Sequence, residues 1–253
     1  MRTEAHDRAG SEEFGQPRTP AGIAPLLWQR LRELAVRPSG AVAATVLDCG
    51  GGSGSLAVPL AAAGAEVTVV DISIDALATL LRRAAEAGVS DRVRAVQGEV
   101  EALSELVPAG SYDLVLAHGL LESVPDRALA MRQLAGVLKP GAVASLLVAN
   151  PVAAVLGRLL AGDVGSALDC FRRTAAGAGS LPAMVEHCVQ AGLTVRSVEG
   201  IGVFGEFVAG AVLERPGVQP QLAELEQAAA GVSPYRDIAS RLHLIACRGG
   251  GSG

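Results

Sequence analysis

The chain has 253 residues, enough for one α/β domain with additions or for two small domains. Half of the residues are apolar but only 3% are aromatic, so a core must be assembled from Ala, Val and Leu, which suits helices packed on a buried parallel sheet. The net charge of −5 gives no overall attraction to DNA or to an anionic membrane, and a polyanionic partner would need a local basic patch.

Residues 1–20 mix acids, bases, Pro and Gly where a secretory signal would place an apolar stretch, and they predict a flexible leader on a cytoplasmic protein. A single domain is expected over 21–248, with a donor-binding core at 45–150 and acceptor-side insertions and closing strands at 151–248. The terminal residues 249–253 read as a flexible tail. Within the domain, Leu26, Leu27, Leu31 and Leu34 recur at helical spacing beside Trp28, which predicts a helix over 23–36. Short β-rich runs then alternate with helical stretches. The strands are expected at 45–48, 66–71, 92–97, 112–117 and 143–149, and the helices at 55–63, 75–87, 100–106 and 126–138. Such alternation predicts a doubly wound, mostly parallel sheet, with Lys139-Pro140-Gly141 as the stop before its fifth strand.

Beyond Asn150 the expected order is a helix at 151–160, a small-residue loop around 174–180, a helix at 182–191 and a strand at 194–199. A helix at 219–230 and a strand at 241–247 close the sheet as a hairpin. The apolar stretch 142–160 is interrupted by Asn150, Pro151, Gly157 and Arg158, so it lacks the ~20 apolar residues of a membrane span. The four cysteines, Cys49, Cys170, Cys188 and Cys247, form no CxxC pair. They read as free thiols in a reducing compartment, and no metal is expected.

The chemistry concentrates where the first strand runs into Asp48-Cys49-Gly50-Gly51-Gly52-Ser53-Gly54. Glycines there let the backbone approach a ligand closely, and the following helix start can meet an anionic group. Asp71 ends the next strand about 20 residues on, where an acid takes the hydroxyls of an adenosine ribose. A nicotinamide dinucleotide site shares this logic, but its GxGxxG would need glycine at position 55, which is Ser55.

These residues resemble the class I S-adenosylmethionine-dependent methyltransferases, and further segments carry the resemblance across 45–150. Gln97-Gly98-Glu99-Val100-Glu101 follows the third strand, Tyr112 to His118 matches the fourth, and Leu138-Lys139-Pro140-Gly141 precedes the fifth. The resemblance implies a Rossmann-like seven-stranded sheet with C-terminal helical insertions. It also implies S-adenosylmethionine as co-substrate, held by Asp48, Gly50, Gly51, Gly52, Asp71, Ile72, Glu99, Val100, Glu101 and His118.

The second half is similar to a narrower group, the tRNA carboxymethoxyuridine methyltransferases, through His118, Asn150, Ala161-Gly162-Asp163, Gly200 to Phe204, Pro234-Tyr235, Arg241 and His243. That group carries a basic run after the fifth strand, where this chain has only Arg172-Arg173. The resemblance implies methyl transfer to a carboxylate, with Asn150, Tyr235 and Arg241 as candidates for positioning the acceptor. A carboxylate is ionised near neutrality and needs no base. A tRNA acceptor, a small biosynthetic metabolite and a non-catalytic adenosyl-binding role all stay open here, as does the oligomeric state.

Overall fold

The computed structural model describes residue 20 and residues 23–36, 42–175, 177 and 179–250. Apart from Pro20, the expected leader lies outside the described residues, as do residues 251–253 of the expected tail.

After α1 (Pro25–Ala35), five strands alternate with helices: β1 (Thr45–Cys49), α2 (Ala57–Ala62), β2 (Glu66–Asp71), α3 (Ile74–Glu86), β3 (Val93–Gln97), α4 (Leu103–Leu106), β4 (Tyr112–His118), α5 (Arg127–Val137) and β5 (Leu138–Ala149). Three helices follow, α6 (Pro151–Leu160), α7 (Val164–Ala175) and α8 (Leu181–Gln190), and then β6 (Leu193–Ile201). The chain ends with α9 (Gly210–Leu213), α10 (Val218–Ala229) and β7 (Arg241–Arg248).

The sheet order is β3-β2-β1-β4-β5-β7-β6. The first five strands pair in parallel, while β7 runs antiparallel between β5 and β6. The sheet is therefore mixed. Four of the five residues of β1 and five of the seven of β4 are buried, as expected of strands covered on both faces. One face packs Leu103, Met131, Leu134 and Met184 from α4, α5 and α8, and the other packs Leu27, Leu31, Leu60 and Leu80 from α1, α2 and α3.

The local signals behind the helices are visible in their caps. Ser73 accepts a hydrogen bond from the Ala76 amide at 3.2 Å, and Asp126 one from the Leu129 amide at 2.9 Å, so each supplies a partner for an otherwise orphaned N–H. In α3 the buried positions Leu77, Leu80 and Ala84 recur at helical spacing.

Two expectations needed correction. β5 begins at Leu138, five residues early, because Leu138 pairs with Tyr112 before the register shifts and resumes at Leu114 and Val143. Lys139-Pro140-Gly141 forms that irregularity, with Gly141 at φ +76°, instead of stopping the strand. The second correction is α7, where no helix was expected. Its apolar residues Val164, Leu168 and Phe171 do keep helical spacing, but they face solvent at 65%, 47% and 58% exposure, so the pattern marks no core-facing stripe.

Glycine is required where the turn after β1 passes over α3. Gly54 has φ +77°, and a Cβ there would stand 2.2 Å from Cδ1 of the fully buried Leu80. Gly54→Ala is expected to destabilise the protein by about 2–4 kcal/mol through crowding and left-handed strain, read as a lowered urea midpoint.

Candidate functional site

The strand order reverses direction of growth at β1, with β2 on one side and β4 on the other, and the connections leaving those strands part at their carboxyl ends. A cleft of about 490 Å³ opens there, the place where such sheets bind ligands.

Seven of the sequence-predicted residues line this cleft: Gly50, Asp71, Ile72, Glu99, Val100, Glu101 and His118. Ile72 is 66% exposed at its wall while Val100 is buried, which gives an apolar pair next to the acids Glu99 and Glu101. Gly98 permits this approach, since a Cβ there would meet Leu106 at 2.3 Å.

Asp48, Gly51 and Gly52 are not among the lining residues. The Gly52 amide donates to Asp71 Oδ2 and the Ser73 amide to Asp71 Oδ1, both at 2.9 Å. Asp71 thus fastens the turn after β1 to the turn after β2. Asp48 is buried, and its Oδ2 has no hydrogen-bond partner. A Cβ on Gly51 would come within 2.5 Å of that oxygen. Burial, and secondarily the charge of Asp71, push the Asp48 carboxyl up to about 7. The thiol of Cys49, also on the cleft wall, is pushed well up by burial and by Asp48, so it remains a protonated thiol and no nucleophile.

Sequence reasoning missed the far wall, which Gly119, Leu120, Ser123, Val124 and Pro125 provide. It also missed Ser145 as a partner of His118. The Ser145 hydroxyl lies 2.9 Å from His118 Nε2 and 2.7 Å from His243 Nε2. A lone serine within an apolar strand gives no sequence signal of this kind.

The three acceptor-side candidates fare differently. Arg241 is exposed, and its Nη1 lies 3.6 Å from where a Cβ of Gly119 would be, at the lip of the cleft. Its guanidinium forms no ion pair among the described residues. Asn150 is buried and occupied by its own chain. Its Oδ1 accepts from the Val152 amide to cap α6, and its Nδ2 donates to the carbonyls of Asp237 and Ala239 at 2.9 and 2.7 Å. Tyr235 is half exposed against Phe204, with ring centres 5.9 Å apart, and does not line the cleft. Of the Arg172-Arg173 pair, Arg172 is 3.6 Å from Asp169. Among the described residues there is no cluster of three metal-ligating side chains, and no helix is long and apolar enough to cross a membrane.

Residues 46–141 match the family described as "Methyltransferase domain". The chain is 27% identical over 227 residues to the tRNA 5-carboxymethoxyuridine methyltransferase of Escherichia coli (strain K12), covering 87% of this chain and 86% of that protein. It is 38% identical over 112 residues to the ubiquinone biosynthesis O-methyltransferase of Serratia proteamaculans, a match that spans 44% of this chain and 45% of the relative. Among solved structures, an S-adenosylmethionine dependent methyltransferase from Mesorhizobium loti shares the fold with a TM-score of 0.57 at 20% identity, over 87% of this chain and 97% of that one.

The raised Asp48 carboxyl sets a pH dependence on the unliganded protein. Its folded value of about 7 exceeds the unfolded value of about 3.9. The associated stability is fully present below about pH 4 and is lost as pH rises towards 7, with a slope of at most about 1.4 kcal/mol per unit. Asp48→Asn is expected to abolish this slope. The stability difference between wild type and variant, measured by urea unfolding from about pH 5 to 8, should move against the wild type as pH rises and level off above about 7. A constant difference would show that Asp48 ionises normally.

Proposed function

Since this chain carries a class I, S-adenosylmethionine-dependent methyltransferase domain, we propose that it transfers the methyl group to a carboxylate oxygen of its acceptor. The observation that carries this reading is the polarity of the cleft, with Asp71, Glu99 and Glu101 on one wall and the unpaired Arg241 at the opposite lip. Acids suit the ribose hydroxyls and amino groups of an adenosyl ligand that carries a sulfonium charge. A planar cationic fork suits a carboxylate.

The residues fit such a ligand. Asp71 would take the ribose hydroxyls, the segment Glu99-Val100-Glu101 with Ile72 would hold the adenine, and Gly50 with Gly51 and Gly52 would leave room for the remainder. Asp48, with its unpartnered oxygen behind the glycine turn, favours a cationic or hydrogen-bond-donating group in front of it. When bound, S-adenosylmethionine supplies an electrophilic methyl on sulfur, and S-adenosylhomocysteine is left after transfer. The protein's contribution is placement: Arg241 orients the acceptor carboxylate, and Asn150 holds the 237–239 turn below it through the two carbonyl bonds. Holding two reactants in line is worth ~7–11 kcal/mol. An ionised carboxylate needs no proton removed. The low basicity of His118, brought down to about 3 by burial and by the neighbouring His243 and Arg241, accords with a reaction without a general base.

A carboxylated wobble uridine of tRNA, the substrate type named for the Escherichia coli relative, is the first acceptor to try. The net charge of −5 and the engagement of Arg172 by Asp169 favour a small carboxylated metabolite as the second.

Two measurements test the reading. Label transferred from methyl-labelled donor to bulk tRNA or to a panel of carboxylic acids should be released as methanol by mild alkali, as an ester requires. Label kept on nitrogen, carbon or an ether oxygen would rule out the carboxylate. Asp71→Ala should weaken S-adenosylhomocysteine binding at least about tenfold in calorimetry, the loss of one or more charge-assisted hydrogen bonds of ~1.5–3 kcal/mol each. Unchanged affinity in a folded variant would remove Asp71 from the donor site.

A further inference from the structure

α10 stands off the body of the domain. Of its twelve residues only Ala229, in its last turn, is buried. Gln219, Leu222, Ala223 and Glu226, spaced i, i+3, i+4 and i+7 along one face, line a second pocket, of about 200 Å³, between α10 and the start of α1. Leu26 and Ile201, both buried, close it from the other side.

The lining is apolar and brings no positive charge. Among the described residues around it, none is Lys or Arg. Its one ionisable member, Glu226, accepts hydrogen bonds on its carboxylate from the amides of Val203, Phe204 and Gly205 at 2.7 to 2.8 Å. A phosphate or a second carboxylate would be buried here beside an acid with no cation to balance it, which is costly. A hydrocarbon would gain by leaving water.

Strand register connects this pocket to the donor cleft. Ile201 of β6 is the cross-strand partner of Arg241 on β7, and such partners project from the same face of a sheet. The Arg241 stem therefore starts beside Ile201 and runs to the lip of the cleft, where Nη1 lies 3.6 Å from the Cβ position of Gly119. From the end of β4 to Ile201, the order β4-β5-β7-β6 makes three strand spacings, or ~14 Å. An extended chain advances ~3.4 Å per three bonds, so roughly ten to twelve bonds cover that distance.

We infer, on the premise of the proposed transfer to a carboxylate, that the acceptor is an elongated monocarboxylic acid with an apolar tail. Its carboxylate sits at the Arg241 guanidinium and its tail lies along the Arg241 stem into the pocket between α1 and α10. This favours a small acid over tRNA as the acceptor. In the transfer a carboxylate oxygen takes the methyl, and the carbon–sulfur bond breaks with its electron pair left on sulfur. The products are the methyl ester and S-adenosylhomocysteine, and no proton moves.

The full chain is given methyl-labelled S-adenosylmethionine with straight-chain carboxylates from butyrate to dodecanoate, below their micelle concentrations, and separately with bulk tRNA. Among the acids, kcat/KM should rise about three- to fourfold per methylene that enters the pocket and level off at roughly ten to twelve carbons. Ala223→Phe should move the optimum to shorter acids and Leu222→Ala to longer ones, opposite shifts that a folding defect cannot give. Arg241→Gln should lower kcat/KM by a similar factor at every length and keep the rise per methylene, because head and tail are held separately. A flat dependence on length, an optimum that neither pocket variant moves, or transfer to tRNA alone overturns the inference while an alkali-labile label leaves the proposed function standing. An alkali-stable label overturns the proposed function instead, and the pocket is then decided by binding. In the protein saturated with S-adenosylhomocysteine, decanoate should shift the methyl NMR signals of Leu26, Ile201 and Leu222 and butyrate should not. Signals that decanoate leaves unmoved overturn the pocket as an apolar-tail site.

Discussion

The glycine turn after β1 keeps its shape because Asp71 accepts the amides of Gly52 and Ser73 on its two oxygens. A turn with three glycines at positive φ, Gly50, Gly52 and Gly54, has little stiffness of its own. The carboxylate supplies that stiffness by joining it to the start of α3, and the Gly50 amide adds a bond to the Val70 carbonyl at 2.8 Å. The same acid faces the cleft. One side chain therefore both shapes the pocket and presents charge to its contents, so the pocket is formed before a ligand arrives.

That arrangement forces a second acid into an awkward place. Asp48 lies behind the turn, sealed under Gly51 and close enough to Asp71 for its charge to be felt. Removing a carboxylate from water without a partner is costly, and the group responds by holding its proton. A hydrophobic residue there would stabilise the empty fold better.

At the opposite lip the balance of charge is reversed. His118 is kept neutral by burial, and Arg241 stands unpaired over Gly119. Neutrality of the buried histidines has a structural reason too. A cation in the middle of β5 and β7 would share its face of the sheet with the buried Leu116 and Leu147, with Ser145 as its nearest polar neighbour.

Periodicity made the parallel core legible because each strand of an α/β sheet is a short apolar run and each covering helix has a core-facing stripe. The edges of β2 and the presence of α1 and α3 follow from that pattern. The glycine turn and Asp71 were legible for a different reason, namely that close backbone approach and a strand-end acid leave marks at fixed spacing along the chain. α7 escaped because its large apolar residues Val164, Leu168 and Phe171 face solvent, and the early start of β5 because pairing across an irregularity depends on the partner strand. Asn150 illustrates the limit well: its position after β5 suggested an acceptor contact, and only the fold brought the carbonyls of Asp237 and Ala239 to its amide. Likewise, His118, Ser145 and His243 are separated by 27 and 98 residues in the chain and become neighbours only through strand order and register. The sequence by itself determined the fold class and marked the glycine turn and the acids at the strand ends, since these are local in the chain. The tertiary structure alone decided which side chains share the cleft and which are tied up beneath it, because those contacts are made across strands that the sequence does not order.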